Sequence, residues 1–218
     1  MTAKPTDIKI CGLRTGADVK AAVEAGARWI GLVYFEASPR HVSVEDGAAL
    51  VAHARTLSPS VETVLLLVNP SAEEAARLAG EMGVDHIQLH GAETNEMMHD
   101  LRVLRPEGEI WKALPVSERA DLEAVKDYPA ADRFLFDAKP PKDASRPGGL
   151  GHAFDWNILS GFECPRPWLL AGGLTPENVV EAVKVSGARA VDVSSGVEAE
   201  KGVKDAGKIA AFASGVRG

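Results

Sequence analysis

Only two of the 218 residues are cysteine, Cys11 and Cys164, far apart and in no CxxC pair. That excludes a disulfide framework, argues against structural zinc, and suits a reducing compartment. No run approaches the roughly 18 apolar residues of a membrane span. The opening "MTAKPTD" also leads into a strand without the apolar stretch of a signal peptide. A cytoplasmic protein without a membrane partner is therefore expected. Positive charge is short as well: 24 Lys and Arg face 31 Asp and Glu, a formal charge of -7. No basic run with interleaved aromatics offsets that deficit, so nucleic acid is not an expected partner. A small anionic ligand stays open, because local donors decide its binding rather than net charge.

What is present describes a globular chain. Hydrophobic residues make up 45% and charged residues 25%, enough to bury a core without disulfides. One domain over residues 1–218 is expected, with residues 1–6 as a short N-terminal tail. Eight short apolar or β-branched runs recur along it: "IKICG", "WIGLVYF", "VETVLLLV", "HIQLH", "IWKALP", "RFLFDA", "PWLLAGG" and "AVDVSSG". Between most of them lie ten or so residues with helical spacing of Ala, Val and Leu. Ser43, Ser71 and the pair Thr175-Pro176 read as helix starts, and Gly26, Gly83 and Gly187 as helix ends. The fifth helix, in "ERADLEAVKDYP", is short, and the sixth connection is largely loop.

Strand and helix alternating eight times predict an α/β fold, a single (β/α)8 TIM barrel. An open doubly wound sheet is the rival, but its usual GxGxxG turn is missing after "CGLRT". The segment 139–154, "KPPKDASRPGGLGHAF", reads either as a surface loop or as a lid over a substrate.

In such a barrel the chemistry belongs at the C-terminal ends of the strands. Those ends carry Cys11, Tyr34 to Arg40, Asn69, Gln88, His90, Lys112, Asp137, Gly172, Gly173 and Asp192 to Gly196. Strand alternation turns Lys9, Cys11, Gln88, His90, Asp137, Asp192 and Ser194 inward, and Lys9 can pair with Asp192 because the first and eighth strands adjoin. Each has a plain alternative: a buried thiol, a capping aspartate, a core histidine, a structural ion pair. The turns Gly172-Gly173 and Ser194-Ser195-Gly196 are harder to dismiss. They end the seventh and eighth strands, where barrels hold phosphate on backbone N–H groups.

The chain resembles the phosphoribosylanthranilate isomerase family of tryptophan biosynthesis. The resemblance rests on "KICGL", "GLVYFEASPRHVS", "VLLLVN", "IQLHG", "FDAK", "GGLGHAFDW", "LAGGLTPENV", "VDVSSGVE" and "GVKD", in the family's order over nearly the whole chain. It implies an Amadori rearrangement of N-(5-phosphoribosyl)anthranilate by general acid and base. Asp137 matches the family's acid, Cys11 its base, and Arg40 the arginine that holds the anthranilate carboxylate. Lys9, Gln88, His90 and Asp192 would complete the pocket, with no metal or organic cofactor. A phosphosugar is the implied substrate, and monomer and homodimer are both open. Lys9 is the candidate for drawing the Cys11 thiol toward thiolate, an influence that an ion pair with Asp192 would dilute. Apolar or anionic surroundings, which the substrate's own carboxylate and phosphate can supply, are expected to keep Asp137 protonated. Leu150 in "GGLG" and the missing Phe before Val68 depart from the family pattern and bear on substrate packing. A sister isomerase of histidine synthesis would need an aspartate where Cys11 stands, and a silent phosphosugar-binding barrel would predict loss of Cys11 or Asp137.

Overall fold

The computed structural model describes residues 6–138 and 155–218. The possible lid at 139–154, Leu150 within it, and residues 1–5 of the expected tail lie outside that range. Eight strands close a parallel barrel in chain order: β1 Asp7–Cys11, β2 Trp29–Tyr34, β3 Glu62–Leu67, β4 His86–Leu89, β5 Ile110–Val116, β6 Arg133–Ala138, β7 Trp168–Leu170 and β8 Ala190–Val193. Around it lie α1 Gly16–Glu24, α2 Val44–Leu57, α3 Ala72–Met82, α4 Asn95–Leu104, α5 Val179–Ser186 and α6 Ala206–Arg217. The (β/α)8 architecture expected from the alternation is the one that forms. Among the described residues no helix is long and apolar enough to cross a membrane.

Local chemistry explains most boundaries. Ser43 and Ser71 accept hydrogen bonds from the amides three residues on, and Gly83 and Gly187 end their helices in the left-handed conformation. The expected start at Thr175-Pro176 is displaced. The helix begins at Val179 with Asn178 as its cap. The reason is that Asn178 Oδ1 accepts from the Thr175 amide at 2.8 Å while its Nδ2 donates to the Gly173 carbonyl at 2.9 Å. These bonds make residues 175–178 a turn that pins the end of β7.

The two weak helical positions are 3-10 turns, Arg119–Asp127 and Trp156–Leu159. In the first, the buried residues are Leu122 and Val125. Their three-residue spacing matches the period of a 3-10 turn.

Side chains fill the barrel in layers. Trp29 and Trp111 meet edge to face inside it, ring centres 5.3 Å apart, in a cluster with Val64, Ala113, Leu135, Leu169, Ala171 and Ala190. Arg133, at the start of β6, lies over both tryptophan rings. Since Trp29, Trp111 and Arg133 stand at or near the N-terminal ends of their strands, the floor of the barrel is closed by apolar and cation–π packing. Polar inward residues are left for the other end.

Candidate active site

The mouth starts with Cys11, the last residue of β1. It is 3% exposed. Two glycines make its place. A Cβ on Gly31 would stand 2.7 Å from the Cys11 sulfur, and one on Gly12 would stand 2.5 Å from Cδ of Arg40. Gly12 also has φ of +78°, a conformation open to glycine. The glycine in "CG" thus lets the Arg40 stem lie across the backbone next to the thiol.

Behind Cys11, Lys9 Nζ donates to Asp192 Oδ1 at 2.8 Å, both side chains being buried and directly paired in register. Burial alone would lower the Lys9 pKa. Asp192 and Cys11 more than offset this, and the ammonium is stabilised. Lys9 does pull the Cys11 thiol toward thiolate, and Asp192 dilutes that pull, as expected, but neither decides the balance in this pocket. Desolvation pushes the thiol up, and though Lys9 and Lys204 pull it down, Asp192 opposes them and the net shift is upward. A raised thiol pKa means the thiolate forms only on the alkaline side of the ordinary value. In a Cys164→Ala variant, thiolate ultraviolet absorbance followed against pH should therefore have a midpoint above the usual value of about 8.5. A midpoint below that value would show that the cations win.

Across the mouth, Asp137 stands near the end of β6, 7% exposed. Its side-chain hydrogen-bond partner among the described residues is His90, whose Nε2 lies 3.2 Å from Oδ2. Gln88 Nε2 lies 3.0 Å from His90 Nδ1. With the amide donating there, the ring carries its proton on Nε2, facing the carboxyl. Gln88, His90 and Asp137 thus form one chain across β4 and β6.

The two glycine-rich turns adjoin. A Cβ on Gly196 would collide with the Leu174 carbonyl oxygen, so the turns after β7 and β8 come together only with glycine there. Among the described residues nothing accepts the amide hydrogens of Gly172, Gly173, Ser195 or Gly196. Adjoining turns with four such N–H groups form a donor-rich cluster, a feature whose chemistry suits an anion. A cation attends it: Lys204 Nζ donates to the Ser194 carbonyl at 2.9 Å and lies 3.3 Å from its hydroxyl. The sequence showed no lysine there.

Arg40 is 4% exposed and is held by Glu198, through Nε at 2.6 Å and Nη2 at 2.9 Å. Two of the five guanidinium N–H donors are used in that fork. Asn69 and Lys112 are bound to scaffold instead. Lys112 Nζ donates to Glu93 at 3.0 Å and to the Gly91 carbonyl at 2.8 Å, and Asn69 Oδ1 accepts from Ala92. They brace the loops after β3 and β4. Glu93 and Glu198 went unnoticed in the sequence because neither lies on a barrel strand, where alternation assigns a face.

A second cavity, of about 890 Å³, opens at the opposite end, between Arg28, Arg133, Arg166 and Trp168. Its inner cations are engaged, Arg28 with Asp7 at 2.7 Å and Arg133 with Glu109 at 2.9 and 3.0 Å. Neither Cys11 nor Asp137 nor any residue of the two glycine-rich turns lines it.

Fold and mouth together describe a (β/α)8-barrel enzyme whose mouth holds a buried thiol, a buried carboxyl and a donor-rich turn. The sequence profile of N-(5'phosphoribosyl)anthranilate (PRA) isomerase matches residues 8–214. The N-(5'-phosphoribosyl)anthranilate isomerase of Rhodospirillum rubrum is 49% identical over 216 residues, covering 97% of this chain and 98% of that protein. A crystal structure of phosphoribosyl anthranilate isomerase in complex with reduced 1-(o-carboxyphenylamino)-1-deoxyribulose 5-phosphate superposes with a TM-score of 0.83 at 32% identity, over 97% of this chain and 98% of that one. Monomers generated from the dimeric enzyme of Thermotoga maritima superpose at 0.81 and 33% identity, with the same coverage. The chain belongs to the N-(5'-phosphoribosyl)anthranilate isomerase family, and its reaction is the isomerisation of N-(5-phosphoribosyl)anthranilate in tryptophan biosynthesis.

Proposed function

We propose that Asp137 and Cys11 divide this reaction between them as acid and base. Asp137 gives its proton to the furanose ring oxygen. The bond from that oxygen to C1 breaks as the anthranilate nitrogen forms a protonated Schiff base. Cys11, through the minor thiolate fraction that its raised pKa leaves near neutral pH, takes the proton from C2, and the electron pair left behind yields the enolamine, which tautomerises to the ketone. His90 and Gln88 orient the Asp137 carboxyl, while Lys9 and Asp192 form the polar wall behind the thiol. The phosphate lies on the amides of Gly172, Gly173, Ser195 and Gly196 beside Ser194, and the carboxylate on the free edge of Arg40. The observation that carries this reading is the set of four amides without an acceptor among the described residues, in the same mouth as a buried thiol and a buried carboxyl.

The ring opening and the proton transfers are internal to the substrate and served by Asp137 and Cys11, with no external oxidant or reductant, so the reaction requires no metal or organic cofactor. Turnover should survive exhaustive chelation. The whole chain, residues 1–218, acts as one barrel domain in the cytoplasm, without a nucleic-acid partner. Both monomer and homodimer are compatible with it, the T. maritima relative being described as dimeric.

Binding and chemistry separate by substitution. Arg40→Ala should act mainly through KM, since the carboxylate contact exists before the ring opens as well as after. Gly173→Val should weaken inhibition by inorganic phosphate, because Gly173 has φ of +65° and a β-branched residue distorts the turn. Unchanged KM in the first variant and unchanged phosphate inhibition in a folded second one would reject the two subsites.

A further inference from the structure

The barrel alone does not account for the short antiparallel hairpin of β9 Glu198–Glu200 and β10 Val203–Lys204, inserted between the turn after β8 and α6. Its first residue, Glu198, is 7% exposed and receives four donors. Oε1 takes Arg40 Nε at 2.6 Å and Lys204 Nζ at 2.8 Å, while Oε2 takes Arg40 Nη2 at 2.9 Å and the Gly202 amide at 3.0 Å. The hairpin turn also presses on the loop that carries Arg40. A Cβ on Gly202 would stand 2.7 Å from the Pro39 carbonyl oxygen. From the other side, Lys204 reaches on to Ser194 at the anion-binding turn.

We infer that Glu198 is a positioning residue that joins the carboxylate and phosphate subsites into one unit, with the β9–β10 hairpin as the clasp. This rests on the assignment of Arg40 and the glycine-rich turns given above. The electrostatics point the same way. Two buried cations share one buried carboxylate, so one net positive charge remains to meet the substrate's anions, and the cations would repel each other without Glu198. Burial would raise the Glu198 pKa, yet Arg40 and Lys204 bring it below the ordinary carboxylate value. The carboxylate is thus charged throughout the working pH range. Glu198 touches no substrate in this arrangement. Its effect passes through Arg40 and Lys204.

The test is Glu198→Gln, which keeps the shape, removes the charge and sets an amide N–H2 against donors. KM should rise about tenfold or more, the scale of losing charge-assisted hydrogen bonds. The inhibition constants of inorganic phosphate and of anthranilate should both rise, while kcat stays within about threefold. Glu198→Asp should recover part of the loss. Lys204→Met provides a second route should Glu198→Gln not fold. It cuts the phosphate limb while leaving the Arg40–Glu198 fork, so it should weaken phosphate and abolish any tightening of anthranilate by saturating phosphate. An Arg40→Ala control separates the failures. If Arg40→Ala leaves KM unchanged, the carboxylate assignment falls. If Arg40→Ala raises KM but Glu198→Gln or Lys204→Met leaves phosphate inhibition at the wild-type level, the clasp alone is rejected.

Discussion

Cys11→Ser should lower kcat by about 10²-fold to 10⁴-fold, as Cys11→Ala should, because a positioned base typically contributes that much. Serine keeps the shape of the residue beside Gly31 and the neighbourhood of Lys9. Its hydroxyl is too weakly acidic to become an anionic base even with two ammonium groups near. The packing cost is small, so melting temperature should move little. Product affinity should be retained, since the amide turns and Arg40 hold the two anionic ends without the thiol. Steady-state kinetics with freshly generated phosphoribosylanthranilate, followed by loss of anthranilate fluorescence, measures the rate. If serine sustained near-native turnover, Cys11 would be a packing residue and the base would have to be sought elsewhere in the mouth, first at His90.

Asp137→Asn should cost kcat a similar factor, about 10²-fold to 10⁴-fold, for the complementary reason. An amide cannot deliver a proton to the ring oxygen. Its carbonyl can still accept the His90 Nε2–H, so the chain through Gln88 survives and the fold with it. The two variants are separated from Arg40→Ala by the kinetic parameter they move: kcat here, KM there. A loss of product binding as large as the loss of rate would assign Asp137 to substrate holding instead.

Alternation along strands made much of this legible in advance. It turned Lys9, Cys11, Asp137 and Asp192 inward, and the closure of β1 on β8 made the Lys9–Asp192 pair foreseeable; its 2.8 Å bond is what register and burial produce. Where the chain leaves the strands, that logic ends. "EAEKGVKD" is polar and short, so nothing in its pattern marks Glu198 as a buried hub or brings Lys204 under Ser194. The α5 start was misplaced because Thr175 and Pro176 are good opening residues, while the winning interaction is a side chain of Asn178 reaching back to Gly173. The direction of the Cys11 shift was likewise out of reach. It depends on how much water the pocket excludes, which spacing does not encode, and burial there outweighs the nearby ammonium groups.

The floor of Trp29, Trp111 and Arg133 has a consequence for traffic. A barrel stoppered at one end has a single doorway, and every departing molecule must back out through the opening by which it came. Product and incoming substrate cannot pass each other or occupy the chamber together, so product should inhibit in strict competition with substrate. Any gain in the speed of the chemical step is worth only as much as the doorway can clear.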